Sequence, residues 1–112
     1  MKMNDLLKNN NLKINYYNGT NSIINKIICS DLHGYALSKL NENDVWITVV
    51  SHINTLAVAK QKNIACIIIA DGIKPSNDIL KIAEEHKITI LTSTYPVYET
   101  ALIIRKIEES KC

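Results

Sequence analysis

The residues with binding or catalytic chemistry fall in four short groups, each directly after an apolar run. They are Ser30 and Asp31, then Ser51, His52 and Asn54, then Asp71, Gly72 and Lys74, and lastly Ser93 and Thr94. Hydroxyl, carboxylate, imidazole and amide groups bind polar ligands, and an ammonium group beside a loop N–H binds phosphate. Ser, Thr, Asp and Asn in such places also cap helices and form turns. The residue types therefore indicate a polar ligand pocket, with a purely structural role as the alternative for each residue.

A hydrolytic site is the first chemistry to consider. Ser51 and His52 are adjacent in sequence, so their side chains diverge and do not form a nucleophile and base pair. No GxSxG elbow is present. Cys29 lies within an apolar run, where a thiol stays protonated and inert. The sequence therefore predicts no catalytic residue, and a small hydrolase is kept only as a minor alternative.

Phosphate and metal motifs are absent as well. With only three glycines, the chain contains neither GxGxxG nor GxxxxGK[ST]. A phosphate is still able to bind at Asp71 to Lys74, through a loop N–H and the Lys74 ammonium, although a solvated loop lysine is the alternative. No spacing of His, Cys or carboxylate residues indicates a metal site.

Composition limits the class of protein. The chain has 112 residues, a net charge of +2, one Trp and no Phe, so it lacks the charge and the aromatic platform of a nucleic-acid binder. No apolar segment has the length of a membrane span, and no signal peptide is recognisable, so we expect a cytoplasmic protein. Cys29 and Cys66 are predicted to be buried thiols, and Cys112 to be disordered.

From residue 45 onward, strand and helix patterns alternate with short loops. Strands are predicted at Val45 to Val50, Ile64 to Ala70 and Thr89 to Leu91. Helices are predicted at Asn54 to Lys62 with Asn54 as N-cap, around Ile79, Ile82 and Ala83, and from Pro96 onward. This alternation predicts a single α/β domain with a mainly parallel sheet of four to five strands flanked by helices.

The first third is less regular. The pattern predicts a short helix at Asn4 to Lys8, strands at Leu12 to Tyr17 and Ile23 to Ser30, and a helix at Tyr35 to Leu40. Asn18 to Thr20 is predicted to form a turn. Because ligands bind beyond the carboxyl ends of parallel strands, the four polar groups above would share one edge of the sheet.

Several segments together resemble the DRTGG domain family. They are SDL from Ser30, WIT from Trp46, SHIN from Ser51, LAVA from Leu56, IIIADGIKP from Ile67 and ITILTSTYPVYETA from Ile88. The resemblance covers essentially the whole chain, residues 1 to 112, and implies an α/β fold similar to the N-terminal domain of HPr kinase. Where the family's name motif has Thr-Gly-Gly, this sequence has Asn25, Lys26 and Ile27.

The resemblance implies a non-catalytic regulatory or small-molecule-sensing module that forms a homodimer. It implies no cofactor, with an adenine nucleotide or another small phosphorylated ligand as the regulatory signal, and a pocket centred on Asp31, His52 and Asn54. The alternative is an interaction subunit that docks on a metabolic enzyme or kinase and has no ligand of its own. In that case His52 would be a structural residue.

Overall fold

In the computed structural model, which describes residues 1–111, five strands form one sheet in the order β1-β5-β4-β3-β2. The strands are β1 (Lys13–Tyr16), β2 (Ile27–Cys29), β3 (Val45–Thr48), β4 (Cys66–Ile69) and β5 (Ile90–Thr92). Strands β2 to β5 are parallel, and β1 joins β5 in the antiparallel direction. The predicted α/β fold with a mainly parallel sheet is confirmed.

Within residues 1–111, five helices cover the two faces of the sheet. They are α1 (Met3–Leu7), α2 (His33–Lys39), α3 (Ile53–Lys62), α4 (Asn77–His86) and α5 (Val97–Ser110). Buried residues of α2, α3 and α4 belong to one apolar core, and those of α1 and α5 belong to another. The chain therefore changes face after β5, since α4 and α5 lie on opposite sides.

The central strands β3 and β4 are buried on both faces, which explains their continuous apolar sequences. Trp46 and Ile67 point to the core under α2, α3 and α4, whereas Ile47 and Ile68 point to the core under α1 and α5. Burying each such side chain contributes roughly 1.5 to 3 kcal/mol. These two strands therefore anchor the loops at their carboxyl ends.

Strand β3 ends two residues earlier than the sequence predicts. The backbone nitrogen of Val49 donates to Asp31 Oδ1 at 2.9 Å, and that of Val50 donates to Thr48 Oγ1 at 3.1 Å. Side-chain oxygens thus accept the hydrogen bonds that a neighbouring strand would otherwise accept. The apolar sequence pattern does not reveal this competition. Strand β4 is likewise shorter than the predicted 64–70.

The prediction of a strand from Ile23 to Ser30 was wrong for its first half. Only Ile27–Cys29 pairs with β3, whereas Ile23 forms an isolated bridge with Lys2 and the Ile24 nitrogen donates to the Met1 carbonyl at 2.9 Å. Residues 23 and 24 therefore pair with the amino-terminal residues of the chain and not with β3. In the same region, α2 begins at His33, two residues before the prediction.

The two cysteines of the described chain differ in burial. Cys66 is buried as predicted, but Cys29 is exposed, so that prediction was wrong. Strand β2 is an edge of the sheet, so in the described part of the chain its last residue is paired with a strand on one side only. Partial burial first, and the Asp31 carboxylate second, raise the pKa of the Cys29 thiol. The prediction for Cys112 lies outside the described residues.

Candidate functional site

A cleft lies where the loops after β4 and β5 separate. The β4–α4 loop leads to one face of the sheet and the β5–α5 loop to the other. Such a divergence opens a crevice at the carboxyl ends of parallel strands, the usual ligand position in open α/β sheets. Here the crevice has a volume of about 430 Å³.

Four of the predicted site residues line this cleft, namely Gly72, Lys74, Ser93 and Thr94. Thr92, at the end of β5, lines it beside Ser93 and Thr94. The other lining residues come from the amino-terminal segment and from loop positions that the sequence does not single out: Asn10, Asn11, Lys13, Asn15, Ile73, Pro75 and Tyr95. The amino-terminal residues reach the cleft because β1 pairs with β5. No local pattern in the sequence specifies that pairing.

The cleft favours an anion. Its lining contains two lysines, Lys13 and Lys74, and no carboxylate. Three asparagine side chains add amide donors at the same surface. Asp71, two residues after the end of β4, is not among the lining residues. The lining therefore offers charged and neutral donors to a phosphate or carboxylate.

The β4–α4 loop is held by its own backbone. Asp71 and Gly72 both have positive φ angles, of 65° and 72°. Their N–H groups donate to the carbonyls of Tyr95 and Ser93, at 2.7 and 3.0 Å. These two N–H groups are thus used within the protein, so Lys74 and not the Asp71 or Gly72 backbone is left to meet a phosphate.

The Ser93 hydroxyl faces inward although the residue belongs to the lining. Its Oγ lies 2.8 Å from Thr100 Oγ1 in α5 and accepts from the Tyr95 nitrogen at 3.1 Å. Thr100 Oγ1 in turn donates to the Tyr95 carbonyl at 3.1 Å. Both hydroxyls are buried. This pair fixes the β5–α5 loop against the start of α5, and so fixes one wall of the cleft.

The opposite wall is fixed by β1. A register shift between Ile14 and Tyr16 places Asn15 at an irregularity of the β1–β5 pairing. Thr92 Oγ1 donates to Asn15 Oδ1 at 2.8 Å. Irregularities of this kind re-aim side chains at sheet edges. The hydrogen bond from Thr92 in β5 therefore fixes the orientation of the Asn15 side chain at the cleft.

The predicted residues after β2 and β3 form a separate group. Asp31 Oδ1 accepts from Thr48 Oγ1 at 2.8 Å and from the Val49 nitrogen, and Ser30 Oγ accepts from the Leu32 nitrogen at 3.1 Å. These contacts join the ends of β2 and β3. None of Ser30, Asp31, Ser51, His52 and Asn54 lines the cleft. Their role in ligand binding stays a prediction.

Helix α3 is capped by His52, and the prediction of Asn54 as N-cap was wrong. His52 Nδ1 accepts from the Asn54 nitrogen at 3.1 Å, which leaves Asn54 inside the first turn. A histidine is an uncommon N-cap, so the more usual asparagine misled the prediction. The acceptor role also requires the tautomer in which Nδ1 carries no proton.

Three polar residues, His33, Ser51 and Thr55, lie close to the start of α3. His33 Nε2 lies 2.9 Å from Thr55 Oγ1, and Thr55 Oγ1 donates to the Val50 carbonyl at 3.1 Å. The His33 ring meets Trp46 edge-on, with centroids 6.0 Å apart. Ser51 Oγ is buried and has no hydrogen-bond partner within residues 1–111. The contacts of His33 and Thr55 order the start of α3.

Within the described residues, no group of three or more His, Cys, Asp or Glu side chains is placed to hold a metal ion. The same stretch of chain contains no helix with both the length and the apolar character that a bilayer crossing requires.

Comparisons with known proteins decide the family. The DRTGG domain family matches residues 11–107. This chain belongs to the DRTGG domain family. A comparison with curated proteins finds no match. Among solved structures, the fold is similar to the CBS and DRTGG domains of the regulatory region of a Clostridium perfringens pyrophosphatase complexed with its activator, diadenosine tetraphosphate.

The likeness to that structure concerns the fold. The TM-score is 0.72 at 15% sequence identity, and the match covers 91% of this chain but 45% of the other. The DRTGG domain described here thus spans less than half of that regulatory region.

The degenerate name motif of this DRTGG domain lies far from the cleft along the strands. Asn25, Lys26 and Ile27 lead into the amino end of β2, whereas the cleft is at the carboxyl ends. Lys26 donates from both its backbone nitrogen and its Nζ to the buried Asp44 carboxylate. In this chain, that segment closes the amino edge of the sheet.

Proposed function

We propose that this DRTGG domain is a non-catalytic regulatory module that binds a small anionic ligand in the cleft at the carboxyl ends of β4 and β5. The observation that carries the proposal is the charge of the lining, with Lys13 and Lys74 present and carboxylates absent. A lysine pair attracts a phosphorylated ligand, and its ammonium groups each offer three donors. The position after two diverging strands is the position that fold-level rules favour.

A phosphorylated small molecule, including an adenine nucleotide, fits this lining. Phosphate groups would meet Lys13 and Lys74, while Thr94 and the asparagines supply neutral hydrogen bonds. Tyr95 borders the same cleft and is 43% exposed, so its ring offers a face on which an aromatic base stacks. The solved neighbour was crystallised with diadenosine tetraphosphate, which is consistent with this class of ligand.

The residues of the second group would act indirectly. Asp31 ties the end of β2 to β3, and His52 begins α3, so both order loops on the same edge of the sheet as the cleft. We propose that Ser30, Ser51, Asn54 and Asp71 belong to this supporting set. Replacing them would change the stability of the domain more than its affinity for the ligand.

The module is proposed to work as a homodimer. Helix α5 and the loop before it expose three apolar side chains, Tyr95, Tyr98 and Leu102, of which Tyr98 and Leu102 share one face of the helix. Tyr98 is 69% exposed, which is a large apolar surface for a side chain without a covering neighbour. Because Tyr95 also borders the cleft, ligand binding and assembly would share a residue. Sedimentation equilibrium would contradict the dimer by giving a monomer mass at micromolar concentration.

Ligand binding is tested by thermal unfolding with AMP, ADP, ATP, diadenosine polyphosphates and phosphorylated sugars. A ligand at about 100 times its dissociation constant adds roughly 2.7 kcal/mol, or on the order of 10 °C for a domain of this size. The Lys13→Ala, Lys74→Ala double variant should lose the shift. Lys81→Ala, an exposed lysine of α4 outside the cleft, is the matched control and should keep it. A shift that survives the double variant would place the ligand elsewhere, and no shift with any compound would contradict the proposal.

A further inference from the structure

A second concave surface lies between α3 and α4, away from the ligand cleft. It has a volume of about 350 Å³ and is lined by Ile53, Leu56, Ala57, Lys60, Gln61, Ile82, His86 and Ile88. We call it the α3/α4 groove. Ile53 lies at the end of the groove where α3 begins, and it is 52% exposed. A single exposed apolar side chain is ordinary, but one that is continuous with an apolar groove forms the kind of surface that marks an interaction site.

The groove has one apolar part and one cationic end. Ile53, Ala57 and Ile82 form the apolar part with Leu56 and Ile88. At the other end, a smaller depression of about 200 Å³ shares three residues with the groove, Lys60, His86 and Ile88. It adds Asn18, Ala59, Asn63, Ile64 and Lys87. Neither lining contains an Asp or Glu. The surface is therefore complementary to a partner with an apolar side and an acidic end.

Capping of helix ends accounts for part of this positive charge. Helices α3 and α4 both end here, and each carboxyl terminus carries roughly half a negative charge. Lys60 Nζ donates to the His86 carbonyl at 3.3 Å, as expected of a capping cation. Lys60 and Lys87 bring two full positive charges to this end, against the two half charges and the Glu42 carboxylate at its edge, whose Oε2 accepts from Asn63 Nδ2 at 3.2 Å. The Lys60 ammonium has three N–H donors, and the bond to the His86 carbonyl uses one of them.

The helical walls of the α3/α4 groove favour a helical partner over an extended peptide. Both sides of the groove are helices, whose backbone groups are already hydrogen-bonded. An extended peptide would leave its own N–H and C=O groups unpaired against these apolar walls, whereas a helix satisfies them internally. From Ile53 to Lys60 the groove follows α3 for seven residues, about 10 Å, which accommodates two turns of a docked helix. Apolar anchors at i, i+3 or i+4, and i+7 match that length.

The orientation follows from the helix dipoles. Helices α3 and α4 each return from the carboxyl end of one parallel strand to the amino end of the next, so they run in the same direction. An incoming helix places its amino terminus, with its positive dipole end, beside their carboxyl termini. Acidic residues in its first turn then lie beside Lys60 and Lys87. The occupant is thus an antiparallel helix.

We propose that the α3/α4 groove is a docking site for a partner protein's amphipathic helix, apolar along one face and acidic in its first turn. This inference goes beyond the ligand cleft and does not depend on it. It gives the domain a surface through which a regulated protein is held.

The probe is a synthetic helical peptide of about four turns, with Leu at the anchor positions, three Glu in its first turn and a fluorescent label. A matched peptide carries Lys in place of the three Glu. Fluorescence anisotropy should show saturable binding of the acidic peptide, with a Kd at least about tenfold below that of the basic one. The Lys60→Glu, Lys87→Glu double variant should reverse this preference. Equal affinity for the two peptides would overturn the proposal.

Ala57→Arg fills the groove from an exposed helical position and should abolish binding of the acidic peptide. Ser38→Arg, at an exposed position of α2 outside the groove, should not. Where thermal unfolding shows that Ala57→Arg has lost its fold, Ile53→Asp replaces it. Binding that persists in a folded groove variant would overturn the proposal.

Two other occupants are separated by the same variants. If Ala57→Arg converts a dimer to a monomer in sedimentation, the groove holds a second copy of this chain and the proposal is wrong. If decanoate, but not the acidic peptide, shifts the amide resonances of α3 and α4, the groove holds a small amphiphilic acid and the proposal is wrong as well. Loss of the phosphate-ligand shift in the cleft variants leaves peptide binding unchanged, so the two sites fail independently.

Discussion

His52 Nδ1 accepts a hydrogen bond from the Asn54 backbone nitrogen at 3.1 Å, and this bond begins α3. The ring is exposed, and it does not border the cleft that contains Lys13 and Lys74. The histidine that the sequence most favours as a ligand contact therefore has a structural role in the fold. A structural role and a binding role give different results on substitution.

Replacing His52 by Ala should lower the free energy of unfolding by about 1 kcal/mol, because one N–H of the first turn of α3 loses its acceptor. His52→Ser and His52→Asp should retain most of the stability, since both side chains cap helices well. Urea unfolding measures the difference. Wild-type stability together with lost ligand binding in His52→Ala would assign the ring to the ligand and not to the cap.

Ser93→Ala and Thr100→Val should each destabilise the domain by about 1 to 2 kcal/mol, because each leaves a buried hydroxyl or backbone group without its partner. The two effects should not add in the double variant, since the residues share the 2.8 Å contact. A double-mutant cycle by chemical denaturation checks this. Fully additive losses would mean that the pair does not act as a unit in holding the β5–α5 loop.

Asp44→Ala should cost about 3 kcal/mol, because the buried carboxylate accepts from the backbone nitrogens of Lys26 and Asn41 as well as from Lys26 Nζ. Lys26→Ala removes only a partly exposed ammonium and should cost less, about 1 kcal/mol. Both values come from equilibrium unfolding at neutral pH. Equal losses would show that the ion pair, and not the two backbone bonds, supplies the stabilisation.

Complete burial raises the pKa of the Cys66 thiol from 9.0 to about 12. Above pH 9 the unfolded chain releases this proton while the folded chain keeps it, so stability falls as the pH rises. The contribution is up to about 1.4 kcal/mol per pH unit between pH 9 and 12, and it is absent below pH 9. Cys66→Ala should therefore show a shallower alkaline decline in the free energy of unfolding than wild type. Parallel declines would contradict the assignment to Cys66.

Much of the fold was predictable from local pattern. The continuous apolar runs around Trp46 and Ile68 are typical of strands buried on both faces, and both are central strands in the structure. The boundaries were less predictable, since Asp31 and Thr48 end β3 by binding Val49 and Val50 with their side chains. Whether a side chain or a neighbouring strand accepts from a backbone N–H depends on which groups are close in three dimensions. The spacing of residues in the sequence does not show this proximity.

The sequence predicted four of the twelve residues that line the candidate site. Gly72, Lys74, Ser93 and Thr94 follow β4 and β5 and do border the cleft. Lys13 and Asn15 could not be found, because their strand reaches the cleft only through antiparallel pairing with β5, at a separation of more than seventy residues. No residue near Lys13 in sequence marks that partner.

The sequence by itself determined where most strands and helices form and which polar residues follow the strands. Both depend on hydrophobic periodicity and turn chemistry, which are local properties of the chain. Only the tertiary structure decided which of those ends forms a cleft. That choice depends on α4 and α5 covering opposite faces of the sheet and on β1 adding to β5. Both are packing outcomes of two apolar cores, and together they bring Lys13 and Lys74 to one cleft, whereas His52 caps α3 outside it.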